Sequence, residues 1–166
     1  MLEQNMNEAA RYVGRFAPSP SGPLHFGSLL AACASYLQAL CANGQWLLRI
    51  ENIDPPREQP GACQRIIKAL EIYGFQWFGP VIYQSTRTGS HEVAAAALVA
   101  GGQAYRCGCS RRDLQDAAIG PLGPIYPGTC RAGTTAGECA IRVRTHNGQI
   151  CFADQLQGEH CQSLET

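Results

Sequence analysis

The stretch RFAPSPSGPLHFGS, residues 15–28, sets Pro18, Pro20, Gly22, His25 and Gly27 in the spacing P-x-P-x-G-x-x-H-x-G. Pro18, Pro20 and Pro23 hold such a segment extended and stiff, while Gly22 and Gly27 admit close backbone approach. A helix starting at Ser28 turns its unpaired N–H groups toward this segment, and an anion, above all a phosphate, is the natural guest there. His25 has two readings: its ring caps the helix, or it hydrogen-bonds a phosphate as negative charge develops.

A second constellation lies further on. Cys107-Gly108-Cys109 and then Cys130 offer three thiolates for a tetrahedral zinc, which needs one more ligand. Cys139 is the more ordinary fourth ligand and His146 another, because phenolates are rare at zinc. The alternative is a set of free thiols in a loop. With four protein ligands the metal is structural, since no position stays open for substrate. Cys33, Cys41 and Cys63 fall in helical patterns and read as core or surface thiols, and Cys151 and Cys161 receive no role.

The elements that must position these residues alternate. A strand is predicted over 11–16, a helix over 28–42 with an apolar stripe of Leu29, Leu30, Cys33, Leu37, Leu40 and Cys41, and a strand over 45–51. Asn43-Gly44 ends the helix as a left-handed cap. This opening βαβ unit implies an α/β fold with a parallel sheet and puts the proline-glycine loop at a strand's C-terminal end, where open α/β sheets bind ligands. Further helices are predicted over 61–73 and 90–100, with a strand over 81–85 between them. Residues 107–138 are rich in Cys, Gly and Pro and read as an irregular insertion that needs its own staple. Beyond it, segments 140–145 and 149–153 flank Asn147-Gly148, a hairpin signal. Three regions result: 1–103, 104–139 and 140–166.

Thirteen basic residues balance thirteen acidic ones, so no global field marks a nucleic-acid or membrane binder. All the basic residues but Lys68 are arginines, which suits bidentate contacts to carboxylates or phosphates. The N-terminal stretch MLEQNMNEAARYV is polar and no run of eighteen apolar residues occurs, so the expected setting is cytoplasmic with no membrane partner. Nine cysteines, an odd number, are then not a disulfide framework.

RFAPSPSGPLHFGS resembles the HIGH-type signature of class I aminoacyl-tRNA synthetases of the glutamyl group, with His25-Phe26-Gly27-Ser28 in the HIGH position. WLLRIENIDPPRE, residues 46–58, resembles the group's second signature, and HFGS combined with IDPPRE is most similar to the glutamyl-Q tRNA(Asp) synthetase family. The resemblance spans nearly all of residues 11–166. It implies the first half of a Rossmann-like parallel sheet with a zinc-stapled insertion and a β-hairpin. It also implies ATP-dependent activation of glutamate, with Mg, and transfer to queuosine in the anticodon of tRNA(Asp), with tRNA not needed for activation. Position by position, His25, Gly27 and Ser28 fall on the catalytic motif. Arg15, Phe16, Ala17, Pro18 and Ser19 match the first glutamate-binding segment, and Glu51 matches the second. A guanidinium at Arg15 suits the substrate carboxylate and a carboxylate at Glu51 suits its ammonium. An ion pair of Glu51 with Arg49 or Arg57 is the alternative. Asn52 stands where the family usually has Asp. The family's pattern C-x-C followed by Y-x3-C makes Tyr126 the fourth zinc ligand with Cys107, Cys109 and Cys130.

A class I synthetase needs a second βαβ half and a KMSKS-type loop, and neither is found in these 166 residues. The expectation is therefore a shortened or partial chain that is weakly active alone and self-associates through an unpaired sheet edge. The first half of a glutamyl-tRNA synthetase is one alternative. A non-catalytic, zinc-stabilised tRNA-binding module is another, with Arg106, Arg111, Arg112 and Arg131 as phosphate contacts.

Overall fold

A computed structural model of the chain describes residues 12–120, 123–145 and 148–163. Two compact units emerge, Met1–Gly89 and Ser90–Thr166.

The first unit is built on strand β1 (Val13–Phe16), helix α1 (Phe26–Cys41), strand β2 (Gln45–Ile50), helix α2 (Ala62–Ile72) and the short strand β3 (Ile82–Tyr83). The strands form a parallel sheet in the order β1-β2-β3, with Arg15 opposite Leu47 and Ile50 opposite Tyr83. Strand β2 alternates half-buried and buried positions, which turns Trp46, Leu48 and Ile50 into the core. Each such side chain removed from water contributes about 1.5–3 kcal/mol. From α2, Ile66 and Leu70 complete the core, and Trp46 stacks on Phe75 and donates from Nε1 to Ser35 Oγ at 2.9 Å.

The leucine stripe predicted for α1 is not its buried face. Ala32 and Ala39 are buried, whereas Leu30, Leu37 and Leu40 are more than half exposed. The cause is the closeness of helix and sheet. A Cβ at Gly14 of β1 would sit 3.1 Å from the Ser35 carbonyl and 3.3 Å from the Ala39 Cβ, so only small side chains fit between them. Behind α1, Asn43 takes φ +47°, as its reading as a cap requires. Gly44 is needed for a different reason, because a Cβ there would lie 2.4 Å from the Tyr12 carbonyl oxygen.

Helix α3 (Thr88–Ala100) starts two residues before its predicted range and buries no residue. In the second unit, β4 (Ala104–Cys107) is followed by two two-residue strands, β5 (Ile119–Gly120) and β6 (Gly123–Pro124), then by β7 (Ala140–Val143), β8 (Gln149–Asp154) and β9 (Gly158–Ser163). The strand pairing differs from that expected around Asn147-Gly148. β7 pairs antiparallel with β4, and β8 forms its hairpin with β9, across a turn in which the Asp154 carboxylate accepts from the Leu156 and Gln157 amides. Asn147 and His146 lie outside the described residues. The cysteines also depart from expectation, since Cys151 and Cys161 form a disulfide across β8 and β9 while the other seven are free. Among the described residues no helix is long and apolar enough to cross a membrane.

Candidate active site and metal centre

The proline-glycine loop leaves the C-terminal end of β1 and is pinned against the segment that follows β2. The Glu51 amide donates to the Pro18 carbonyl and the Gln59 amide to the Pro20 carbonyl, both at 3.0 Å, and Pro20 is buried. Between this loop and the start of α1 lies a cavity of about 330 Å³, lined by Phe16, Ala17, Pro18, Ser19, His25 and Ser28 among others.

His25 is the N-cap of α1. Its Nδ1 accepts from the Ser28 amide at 3.2 Å, and its Nε2 lies 3.0 Å from Ser28 Oγ. With Nδ1 an acceptor, the neutral ring carries its proton on Nε2 and donates it to Ser28 Oγ, which leaves the serine O–H free to donate elsewhere. The Phe26 and Gly27 amides open the helix without a helical acceptor. A Cβ at Gly27 would stand 3.2 Å from the His25 ring, so that glycine leaves the ring its place.

Four of the six expected glutamate contacts, Phe16, Ala17, Pro18 and Ser19, border this cavity. Glu51 lines a neighbouring recess of about 30 Å³ with Asp54 and Arg57, and Ser19 borders both spaces. Arg15 lines neither and stays exposed on β1, on the face opposite buried Phe16. The Glu51 carboxylate is held by Arg49 at 2.5 Å, the ion pair recognised as its alternative role. Asn52 bridges to Ser85, donating to its Oγ at 2.9 Å and accepting from its amide at 3.1 Å, which ties the end of β2 to the residues after β3.

In the second unit the buried cluster is the thiol constellation itself: Tyr105, Cys107 and Cys130, with Cys109 and Tyr126 packed against them. The Cys107, Cys109 and Cys130 sulfurs lie within 4.8 Å of one another, and Cys109 and Cys130 are 3.6 Å apart. The Tyr126 hydroxyl is 3.3 Å from Cys107 Sγ and 3.6 Å from Cys109 Sγ, and it accepts from the Cys130 amide at 2.8 Å. Tetrahedral zinc with Zn–S bonds of about 2.3 Å and a Zn–O bond of about 2.0 Å requires S···S spacings near 3.8 Å and O···S spacings near 3.5 Å. The donor set fits that ion. Cys139 is turned away, its thiol donating to the Ala136 carbonyl at 3.2 Å.

The electrostatics divide the thiols. Burial pushes Cys107 up, but hydrogen bonds from Tyr126, Arg142 and Cys109 outweigh it and bring the thiol down to about 6. Cys130 is also lowered, chiefly by Tyr126. Cys109 is pulled down by Tyr126 but rises on balance through Cys130, burial and Cys107. Burial, with the Cys107 contact, raises the Tyr126 hydroxyl. Arg142, which no sequence signal marked, completes the surroundings: it comes from β7 opposite Tyr105, and its guanidinium lies 4.4 Å over the Tyr126 ring. Only the β4–β7 pairing reveals it.

Residues 12–119 match the family of class I tRNA synthetases for E and Q, catalytic domain. The chain is 51% identical to the glutamyl-Q tRNA(Asp) synthetase of Aromatoleum aromaticum over 95% of its own length and 51% of that protein's. It is 50% identical to that of Chromobacterium violaceum over 93% of its length and 53% of that protein's. It thus spans about half the length of the curated relatives it matches. A solved glutamate-tRNA synthetase from Elizabethkingia anophelis shares the fold with a TM-score of 0.76 at 24% identity, over 92% of this chain and 37% of that one. With a proline-glycine loop between β1 and α1 and the family's sequence across 12–119, the chain belongs to the class I tRNA synthetases of the glutamate and glutamine group.

Proposed function

We propose that this chain provides the first half of an enzyme that activates glutamate with ATP and passes it to queuosine in the anticodon of tRNA(Asp). The observation that carries this reading is the cavity at the end of β1, bordered both by Phe16–Ser19 and by the His25–Ser28 cap. The relatives' names supply the substrate class.

In this reading the α-carboxylate of glutamate attacks the α-phosphorus of Mg-bound ATP in line. A carboxylate O–P bond forms, the bond to pyrophosphate breaks, and no general base is required, so the protein positions the reactants and stabilises charge. Charge gathering on the α-phosphate meets the Phe26 and Gly27 amides and the Ser28 hydroxyl, which His25 orients. Arg15, which borders neither space, is assigned the second carboxylate of the substrate by its match to the family's glutamate-binding segment, and Glu51 the ammonium, which joins or replaces Arg49 there. Cys107, Cys109, Cys130 and Tyr126 would hold one zinc ion, whose part is to staple the insertion. That role suits a unit whose buried cluster contains so few other side chains.

The test is pyrophosphate exchange by the chain joined to the remaining half of the Aromatoleum aromaticum relative. Glutamate supports exchange without tRNA, and Arg15→Ala or Glu51→Ala each lowers it at least about tenfold, because each leaves a charge of the bound zwitterion unpaired. Exchange that requires tRNA points instead to a glutamyl-tRNA synthetase, and exchange with glutamine rejects the substrate.

A further inference from the structure

Cys151 of β8 and Cys161 of β9 stand directly opposite each other in register, with Cα atoms 4.1 Å apart, and both are exposed. Their setting differs from that of the buried thiol cluster. Strands β8 and β9 form a two-stranded sheet of their own, and neither contains a buried residue. Apart from backbone pairing, the contacts described within the hairpin include the Asp154 turn, the Phe152–His160 ring contact at 5.5 Å, the Glu159 carboxylate beside Cys161 and the disulfide. An isolated two-stranded hairpin is marginal in water, so the covalent link is what fixes this one.

We propose that Cys151–Cys161 is a redox-active pair that exchanges with small thiols of the glutathione type, and that its state sets whether the β8–β9 hairpin is held. In the reductive direction a glutathione thiolate attacks one of the two sulfurs. The protein S–S bond breaks, a mixed disulfide forms, and the other cysteine leaves as a thiolate that takes a proton from water. A second glutathione thiolate attacks the mixed disulfide, releasing glutathione disulfide and the second cysteine. Two electrons pass from two glutathiones to the pair, and glutathione disulfide reverses the sequence. Exposure gives the incoming thiolate its path. The Glu159 carboxylate, 3.8 Å from Cys161 Sγ, acts as a brake, because the three-sulfur transition state is anionic whichever sulfur is attacked.

The experiment equilibrates the 166-residue chain in glutathione buffers, with ratios of reduced to oxidised form from about 1 to about 1,000. Samples are quenched in acid, unfolded, alkylated and weighed. A species with seven alkylated thiols should convert to one with all nine along a two-electron curve, while the C151S/C161S double variant stays at seven throughout. A pair that remains wholly disulfide or wholly dithiol across the range would overturn the proposal. Amides of 149–163 should exchange with deuterium at least about tenfold faster after reduction, with those of β4 and β7 unchanged, and equal rates in the two states would overturn the link to hairpin order. Glu159→Gln should speed reduction several-fold at low salt and by less at high salt, and an unchanged rate would remove Glu159 from the site.

Discussion

Arg49 Nη2 lies 2.5 Å from Glu51 Oε1, two residues apart at the end of β2, with both side chains less than a third exposed. The carboxylate proposed to receive an ammonium is therefore already held by a guanidinium, whose Nε is buried without a partner. Removing one member strands the other, so Arg49→Met and Glu51→Gln should each lower stability in urea unfolding. The double variant should recover about 1 kcal/mol relative to their sum. Strict additivity would mean that the pair is not coupled in solution.

His25 combines a cap with a proposed part at the phosphate, and substitution separates the two. His25→Ala should cost about 1 kcal/mol by removing the acceptor for the Ser28 amide, whereas His25→Asn, a strong N-cap, should restore stability. In the extended enzyme described above, Asn should not restore exchange, because Ser28 Oγ loses its ring donor. Equal recovery of stability and exchange would reduce His25 to a cap.

Elemental analysis of the purified chain should find about one zinc, as four closed protein ligands require. Cys107→Ser and Cys130→Ser should lose it and open residues 104–138 to protease. Tyr126→Phe should weaken retention against a chelator, and Cys139→Ser, whose thiol bonds to Ala136, should retain zinc fully. Loss in the Cys139 variant alone would reassign the fourth ligand.

The zinc-stripped chain should show its own pH dependence. Cys107 is depressed from an ordinary 9.0 to about 6, so its contribution is fully present above pH 9 and lost as pH falls through 6. Cys130 acts in the same sense. Cys109, raised, opposes both, but only above its ordinary value. Urea midpoints of the stripped protein should therefore rise from pH 6 toward pH 9 and level off or fall beyond. A flat profile would show that the thiols keep ordinary values.

Two glycines should respond oppositely to alanine. At Gly44 the new methyl meets the Tyr12 carbonyl oxygen at 2.4 Å, and about 1–3 kcal/mol of stability should be lost. At Gly89, in the first turn of α3, nothing lies within 4 Å, and a gain of up to about 1 kcal/mol should follow from the stiffer unfolded chain. Thermal unfolding of both variants distinguishes a steric from a purely conformational effect.

Local signals carried the first unit well. The proline-glycine loop, the left-handed Asn43 and the existence of strand β2 each depend on a few neighbouring residues and could be read in sequence. The buried face of α1 could not, because it is set by how closely Gly14 lets the helix approach, and the leucines outweigh the alanines in any count of apolarity. The partner of β7 was also hidden: β4 lies more than thirty residues upstream, and the nearby Asn147-Gly148 offered a local competitor. Arg142 and the Cys151–Cys161 bond stayed out of view with that pairing, since both depend on which strands lie side by side. The thiol cluster was legible as a set, while its fourth member came from the family pattern.

Helix α1 can be regarded as a lever resting on two methyl groups. Ala32 lies about 10 Å along the axis from His25 and Ala39 about 21 Å, at 1.5 Å per residue. A single larger side chain at Ala32 that tilts the axis by about 5° about Ala39 would carry the imidazole roughly 2 Å from the loop, more than the displacement that costs a catalytic geometry its rate. The aim of the helix tip is thus governed from its far side by residues whose side chains have no polar atoms. In the extended enzyme, changes there should reach the proposed reaction before they are felt as loss of fold.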